Sequence, residues 1–423
     1  MTCAAKNIIN PKNIKQQNLK LGIFLNSIRQ LADHIMNIRS VLTKFIHPSF
    51  SRDFKILCFY HLILALADGM LGLFLPIYLF ESFNYSIVWV VVFYAIGFGL
   101  YGILSPLGAM WMDKIGLKKS IIIARLFAIP FYVCLYFFRD NPFLFAILAN
   151  VALLLFRLFY WVPYHTSFVQ FTDGRYRGRQ MAYLAVLGYF MSIGAPLLAG
   201  FLLSQFSFKL LFILVIVIIT VGIIPLFGLS NVKAKFEYSY WQSWKELFSK
   251  KNRRLQIAYM ADGAENMVGC AIWPIFIYQI LEKQYLAVGA ITSLIVIVTI
   301  VCQLIMGEYV DRFPKKRLMK VGSVIYALGW FAKTFVATAF QIFIIGAFHD
   351  FAAIILRTPF DALSYEKFAD RGSYIDEYTV LREMALGVGR ILMGILLVFL
   401  VTSFSLKVAF PIAALVSLLV NLL

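Results

Sequence analysis

Charge is scarce in this chain of 423 residues. Only 14% of them are Asp, Glu, Lys or Arg, against about 25% in a soluble domain. With 61% hydrophobic residues, the chain carries more apolar surface than a water-soluble domain can bury, so its solvent is lipid. Acidic residues are scarcer still, 21 against 39 Lys and Arg, which leaves a net charge of +18. In a soluble protein that excess would suggest nucleic acid; here its distribution explains it without such a partner. Cysteine is sparse and odd in number: Cys3, Cys58, Cys134, Cys270 and Cys302. Unpaired by motif and mostly inside apolar runs, they exclude a disulfide framework or a metal site and read as small packing residues. There is no His-Glu-x-x-His, Gly-x-Ser-x-Gly or Gly-x-x-x-x-Gly-Lys-Ser/Thr pattern. Those absences argue against an enzyme and against ATP-driven pumping, and call for no cofactor. A cleavable signal peptide is not expected either, because the first strong apolar run begins near Phe54.

What is abundant is apolar length. A spanning helix needs about 20 apolar residues. The sequence offers such segments at approximately 54–80, 86–112, 118–138, 142–166, 180–204, 208–229, 255–280, 286–310, 316–338, 340–364, 377–402 and 404–423. The predicted fold class is therefore an all-α membrane protein with about 12 transmembrane helices. They divide into an N-terminal six-helix bundle (54–229) and a C-terminal six-helix bundle (255–423). Between them lies a basic linker (230–254), in which Tyr240, Trp241, Trp244, Leu247 and Phe248 predict an amphipathic helix on the membrane surface. Residues 1–53 form a separate basic arm. In it Leu21, Phe24, Ile28, Leu31, Ile35, Ile38 and Leu42 recur at helical spacing. That pattern reads as a surface-lying amphipathic helix or as a regulatory, partner-binding arm.

Two short basic loops define the topology. Asp113-Lys114-Ile115-Gly116-Leu117-Lys118-Lys119 and Asp311-Arg312-Phe313-Pro314-Lys315-Lys316-Arg317 are 198 residues apart. Each joins two apolar segments, and their recurrence at about half the chain length suggests a duplication. Basic residues also crowd 1–55 (nine, against two acidic) and 231–254 (seven, against two), whereas the alternate connections are short and nearly neutral. This positive-inside pattern places both termini in the cytoplasm of a multi-pass protein, expected in the plasma membrane, with anionic lipids at its basic face. A monomer is expected.

Ionisable residues at membrane depth suggest function by default. In the first segment His61, Ala65, Asp68 and Gly72 share one helical face, with Asp68 about 20 Å along the helix from Lys55. The seventh segment repeats the idea with Asp262, Glu265, Asn266 and Gly269, and both reach a proline, Pro76 and Pro274, that predicts a bend. The fourth offers Arg157, Tyr160, Trp161, Tyr164 and His165; its mate, the tenth, offers His349, Asp350, Arg357 and Asp361. A buried arginine demands a carboxylate or an anionic substrate. Arg157 beside Asp68 or Glu265 is thus either an internal ion pair or half of a substrate clamp. The eleventh segment adds Arg382 and Glu383, placed to dock with the loop aspartates, and Arg390 deeper in. Substrate binding or coupling is assigned to Asp68, Arg157, Tyr160, Tyr164, Glu265, Asn266, Arg357 and Arg390. His61, His165, Asp262, His349, Asp350 and Asp361 are further candidates for proton linkage. Carboxyl groups held away from water keep a proton readily, so Asp68 and Glu265 are the better carriers.

The loops resemble those of the major facilitator superfamily, whose second-to-third helix connection has a Gly, then Asp-basic-x-Gly-x-basic-basic. The second copy has Gly307 at the expected place but Pro314 instead of the later Gly. The first keeps Gly116 but has Gly108 one place early, with Ala109 at the usual position. Asp173-Gly174-Arg175-Tyr176-Arg177-Gly178-Arg179 and Gly194-Ala195-Pro196-Leu197-Leu198-Ala199-Gly200 match the family's fourth-to-fifth connection and fifth helix. The resemblance spans 54–423 and implies two pseudo-symmetric bundles working by alternating access. It also implies a conformational latch at Asp113, Lys114, Gly116, Lys118, Arg177, Gly178, Asp311, Arg312 and Lys316. A carboxylate such as Asp113 there is stabilised by a neighbouring helix N-terminus in one conformation, or serves only as a topology signal. Gly194, Pro196 and Gly200 are read as helix-packing positions, and in the family this pattern leans toward antiporters and exporters.

The expected function is a secondary active transporter for a small molecule, proton-coupled and leaning to efflux by exchange. Proton symport importing a sugar or other metabolite is the alternative. A non-transporting receptor or scaffold on the same fold is the rival of another class, which the mid-membrane charges argue against.

Overall fold

The computed structural model describes residues 50–171, 177–232, 235–310, 313–369 and 375–422. The arm 1–49 and the pair Asp311–Arg312 lie outside the described residues, as do the side chains of Arg177 and Gly178. Within those bounds the chain is helical. The first span is α1 (Arg52–Gly72) and α2 (Phe74–Ser82); α3 (Ile87–Ile115), α4 (Leu117–Tyr136), α5 (Pro142–Phe171), α6 (Arg177–Gln205) and α7 (Phe208–Leu226) complete the first half. The linker contributes α8 (Tyr240–Leu247). The second half runs α9 (Arg253–Ala271), α10 (Trp273–Ile280), α11 (Tyr285–Val310), α12 (Lys315–Ala332), α13 (Ala339–Ala369), α14 (Ile375–Ser403) and α15 (Ala409–Ser417).

Among the described residues, nine helices are long and apolar enough to cross a membrane, with α1 and α2 counted together. The other three expected spans are helical but fall short for visible reasons. The α9–α10 pair carries Arg253, Arg254, Asp262 and Glu265; α12 opens with Lys315, Lys316 and Arg317; the last stretch, Leu406–Leu422, is short. Both expected bends are present as breaks, at Leu73 and Ile272. Pro76 and Pro274 cause them: a proline has no N–H to give and its ring crowds the carbonyl four residues back, at Gly72 and Cys270.

The duplication is visible in the backbone. Ile87 and Tyr285, Leu117 and Lys315, Arg177 and Ile375, and Phe208 and Leu406 begin corresponding segments, each pair separated by the same 198-residue step as the loops. The turns after α2 and α10 repeat it most closely. Asn84 (φ 53°) and Tyr85 (φ 62°) correspond to Glu282 (φ 51°) and Lys283 (φ 63°), all left-handed and none glycine. Each turn closes with the same bond, Tyr85 N–H to Phe80 C=O at 2.7 Å and Lys283 N–H to Tyr278 C=O at 2.9 Å.

Helices α1, α3–α5 and α7 pack with one another in the first half, and α9, α11–α13 and α15 in the second. Two antiparallel pairs join the halves, α3 with α14 and α6 with α11. They too are mates under the 198-residue step. The first depends on two glycines: a Cβ on Gly102 would lie 2.8 Å from the Cα of Gly387. Small residues at such a seam let backbones touch, and dispersion replaces the hydrophobic drive that lipid does not supply. Gly200 approaches the Tyr285 carbonyl of α11 in the second pair, and the Pro196 carbonyl lies against Gly289. Gly194, expected at a helix contact, has nothing within 4 Å of an added Cβ. The face that packs is set by Pro196 and Gly200, and Gly194 points away from it.

The expected amphipathic linker helix is α8. It is capped by Ser239, whose hydroxyl accepts from the Gln242 N–H at 3.2 Å. It buries Leu247 while Trp241 stays 77% exposed, as befits a helix lying on a bilayer surface.

Candidate functional site

The polar side chains inside the bundle fall into three groups. The first belongs to the N-terminal half. Arg125 of α4 is 2% exposed and sits in an aromatic box. Its Nε donates to the Tyr60 hydroxyl at 2.5 Å, and its guanidinium lies 4.2 Å from the Tyr160 ring and 5.0 Å from Phe156. Asp68, one face of α1 away, is within electrostatic reach of Arg125, Tyr60 and Tyr160. It is exposed, and no hydrogen bond or ion pair to it is found among the described residues. Tyr164 stacks on Tyr160 and bonds the His61 Nδ1 at 3.2 Å. His165 stacks on Trp161.

The second group belongs to the C-terminal half and is fully engaged. Asp262 and Glu265, nearly one turn apart on α9, clamp Arg357 of α13: Nη1 donates to Asp262 at 2.9 Å and Nη2 to Glu265. Glu265 also accepts from the Tyr326 hydroxyl at 2.9 Å and the Trp330 indole at 3.0 Å, both on α12. His349 is wedged between those two rings, at 4.4 and 4.7 Å between centroids. Farther along, Lys333 is buried with its ammonium 3.9 Å from the Trp330 ring and 4.4 Å from Trp273. Asp350 accepts from Thr299 at 3.3 Å and feels the charge of Lys333. Asp361 is exposed, within electrostatic reach of Arg382 and Arg357.

The third group straddles the halves. Arg157 of α5 was expected to pair with Asp68 or Glu265, and it pairs with neither. Its guanidinium lies over the Phe98 ring of α3, 4.2 Å from the centroid. Arg390 of α14 lies at the same distance from the same ring and donates to Asn266 Oδ1 at 3.2 Å. The two charges are therefore no more than about 8 Å apart. They repel by roughly 2 kcal/mol at an effective dielectric constant of about 20. Glu265 is unavailable to Arg157 because Arg357 already holds it, and Asp68 faces Arg125.

Where the halves meet away from the basic loops, Glu81 at the end of α2 gathers three donors. The Tyr278 hydroxyl donates at 2.5 Å, Arg139 Nη2 at 2.8 Å, and the Tyr285 hydroxyl also donates to it. Lys283 lies 4.1 Å from the Tyr85 ring. Tyr278, Lys283 and Tyr285 belong to one half, Glu81 and Tyr85 to the other. At the basic end Thr166 of α5 donates to Asp376 of α14 at 2.5 Å.

The expected latch is described only in its first copy. Gly116 holds φ +86° and its carbonyl accepts from the Ser120 N–H, while the Leu117 N–H donates to Val232 and Lys118 to the Phe227 carbonyl at 2.6 Å. This loop thus docks on the linker. Among the described residues Asp113 forms no ion pair, and Lys114 and Lys316 are exposed. Arg382 and Glu383, expected to reach the loop aspartates, lie 3.8 Å from each other instead.

Sequence reasoning overlooked Arg125, Lys333, Phe98 and the Glu81 cluster. Arg125 and Lys333 are isolated cations inside apolar segments, which was signal enough. Glu81 sits in a connection that reads as featureless until Tyr278 and Tyr285 are brought to it.

The sequence profile of the Major Facilitator Superfamily matches residues 57–281 and 255–423. Among solved structures, a crystal structure of the nucleoside transporter NupG is similar in fold, with a TM-score of 0.66 and 15% identity. The likeness covers 88% of this chain and 98% of that one. No curated protein matches the sequence.

Proposed function

The chain belongs to the major facilitator superfamily, and from that premise we propose that it is a proton-coupled secondary transporter that carries a small molecule by alternating access. The reading rests above all on carboxylates at membrane depth on mate helices, Asp68 on α1 and Glu265 on α9. Asp68 is exposed and has no bonded partner among the described residues, which leaves it free to take up and release a proton. Glu265 is held by Arg357, Tyr326 and Trp330. A proton on Glu265 weakens its hold on Arg357, leaving Asp262 as that cation's charged partner. The two sites thus couple protonation to the arrangement of α9 and α13.

Export by exchange is the favoured direction. A proton taken up by a carboxylate from the outer face displaces substrate to that same face and is later released inside, and the Pro196–Gly200 stretch of α6 supplies a seam against α11 that can open and close. One observation favours the reverse direction, symport: among the described residues Arg157 and Arg390 have no carboxylate partner, and an anion entering against an inside-negative potential needs an accompanying proton. The test is the pH inside proteoliposomes of the purified protein, challenged with a mixed metabolite and drug panel. With substrate added outside, exchange alkalinises the lumen and symport acidifies it. Asp68→Asn or Glu265→Gln is expected to abolish the proton signal; unchanged flux in both variants refutes the assignment.

A further inference from the structure

We infer that Arg157 and Arg390, both packed against Phe98, form a binding site for the oxyanion of a small organic acid, a carboxylate or a phosphate, bridging the two halves of the molecule. The inference rests on the transporter reading and names the class of substrate.

Arg157 is buried, and its Nη1 donates to nothing. Stacking on Phe98 occupies the face of the guanidinium, not its edge, and it is the edge that carries the N–H donors. Arg390 spends its Nε on Asn266, which leaves its two terminal nitrogens for another acceptor. The nearby acids are committed elsewhere: Asp262 and Glu265 to Arg357, and Glu383 beside Arg382. No carboxylate among the described residues forms an ion pair with Arg157 or Arg390. A buried charge left in that state demands compensation, and two like charges about 8 Å apart or less demand it more.

The spacing suits one oxyanion reaching both guanidiniums beside the Phe98 edge, since each planar fork accepts a carboxylate or phosphate through paired N–H bonds. Around it stand further polar groups without full partners. Asn150 Oδ1 has no donor, and both it and Arg157 pack close to the Gly97 backbone: a Cβ there would lie 2.5 Å from Asn150 Oδ1 and 3.4 Å from Arg157 Nη1. A cationic substrate gains nothing at such a place. Because Arg157 stands in one half and Arg390 in the other, the anion also removes a repulsion across the seam between them. The loaded protein therefore closes around its cargo more readily than the empty one.

The test uses the full chain in detergent, at constant ionic strength, followed by thermal unfolding and by arginine-selective dicarbonyl labelling read by mass spectrometry. Benzoate and succinate represent carboxylates; inorganic phosphate and glycerol phosphate represent phosphates; choline and glucose are the cationic and neutral controls. At least one anion class is expected to raise the unfolding temperature and to protect Arg157 and Arg390 from labelling in the unmodified protein. Arg157→Gln or Arg390→Gln should weaken that anion at least tenfold, whereas Arg139→Gln leaves it unchanged. Which class responds, carboxylate or phosphate, identifies the headgroup. Protection by neither class, or stabilisation by choline, overturns the inference even if a variant fails to fold, since labelling is read on the unmodified chain. Proton-coupled flux of choline or glucose with no anion effect would sink this site and leave the transporter. Anion binding without flux of anything would do the reverse.

Discussion

Replacing Glu81 by Gln should open the end of the molecule that lies away from the basic loops. Glu81 accepts from Tyr278, Tyr285 and Arg139. Arg139 belongs to the same half as Glu81 and its side chain is 53% exposed, so solvent screening leaves its pair worth about 0–1 kcal/mol. The tyrosines come from the other half, and each hydroxyl-to-carboxylate bond contributes about 1.5–3 kcal/mol. An amide of the same shape still offers one neutral acceptor at about 1 kcal/mol. The net loss across the seam is then about 2–5 kcal/mol, a factor of about 30 to 4,000 in the closed population. Spin labels at Asp140 and Gln284, exposed residues on opposite halves of this end, would report it. In a cysteine-free background, their separation by double electron–electron resonance should acquire a longer population in Glu81→Gln. Arg139→Gln should change that population by no more than about fivefold. A distance distribution that does not move in Glu81→Gln refutes the claim that this carboxylate holds the halves together.

Three other outcomes follow from the same contacts. Arg357→Gln strands Asp262 and Glu265 without their cation and should cost about 3–5 kcal/mol, seen as a lower unfolding temperature. Adding Glu265→Gln to it should recover part of the loss, and failure to recover any would mean the clamp is not the source. Gly102→Ala places a methyl where the Gly387 backbone stands 2.8 Å away; a cost of about 1–3 kcal/mol and a slower transport cycle are expected, and a cycle of unchanged rate argues against a tight seam. Lys333→Met removes a buried cation between Trp273 and Trp330. It should alter the pH dependence of transport through Asp350 and Glu265, which feel its charge, whereas an unaltered profile would confine Lys333 to packing.

The spans, the hinge and the two bends could be read in advance because each has a local cause. Apolar length makes the helices, charge makes the linker, and Pro76 and Pro274 break the backbone just after the carbonyls they crowd, four residues upstream. Asp262, Glu265 and Arg357 were also legible, as charges too costly to stand in lipid without purpose. The pairing among those charges was not. Arg157 could have met Asp68 or Glu265 by sequence; what decides is that Arg357 takes Glu265 and Arg125 stands nearest Asp68. Phe98 is one of 41 phenylalanines, and nothing local marks it as the ring between two guanidiniums. Gly194 failed for a related reason: small residues announce that a helix can be approached, and the neighbour alone decides on which side.

The turns after α2 and α10 hold the same left-handed backbone with entirely different side chains. A duplicated chain starts with two copies of every group near its axis, and groups facing across that axis are then identical. Two lysines there would push the halves apart. In this protein one turn has become aromatic and the other basic, so Lys283 rests on Tyr85 where a symmetric pair would set like against like. Divergence of the repeats has thereby turned a seam of equals into a matched pair of unlike partners, each of which can be altered without disturbing the inherited path of the main chain.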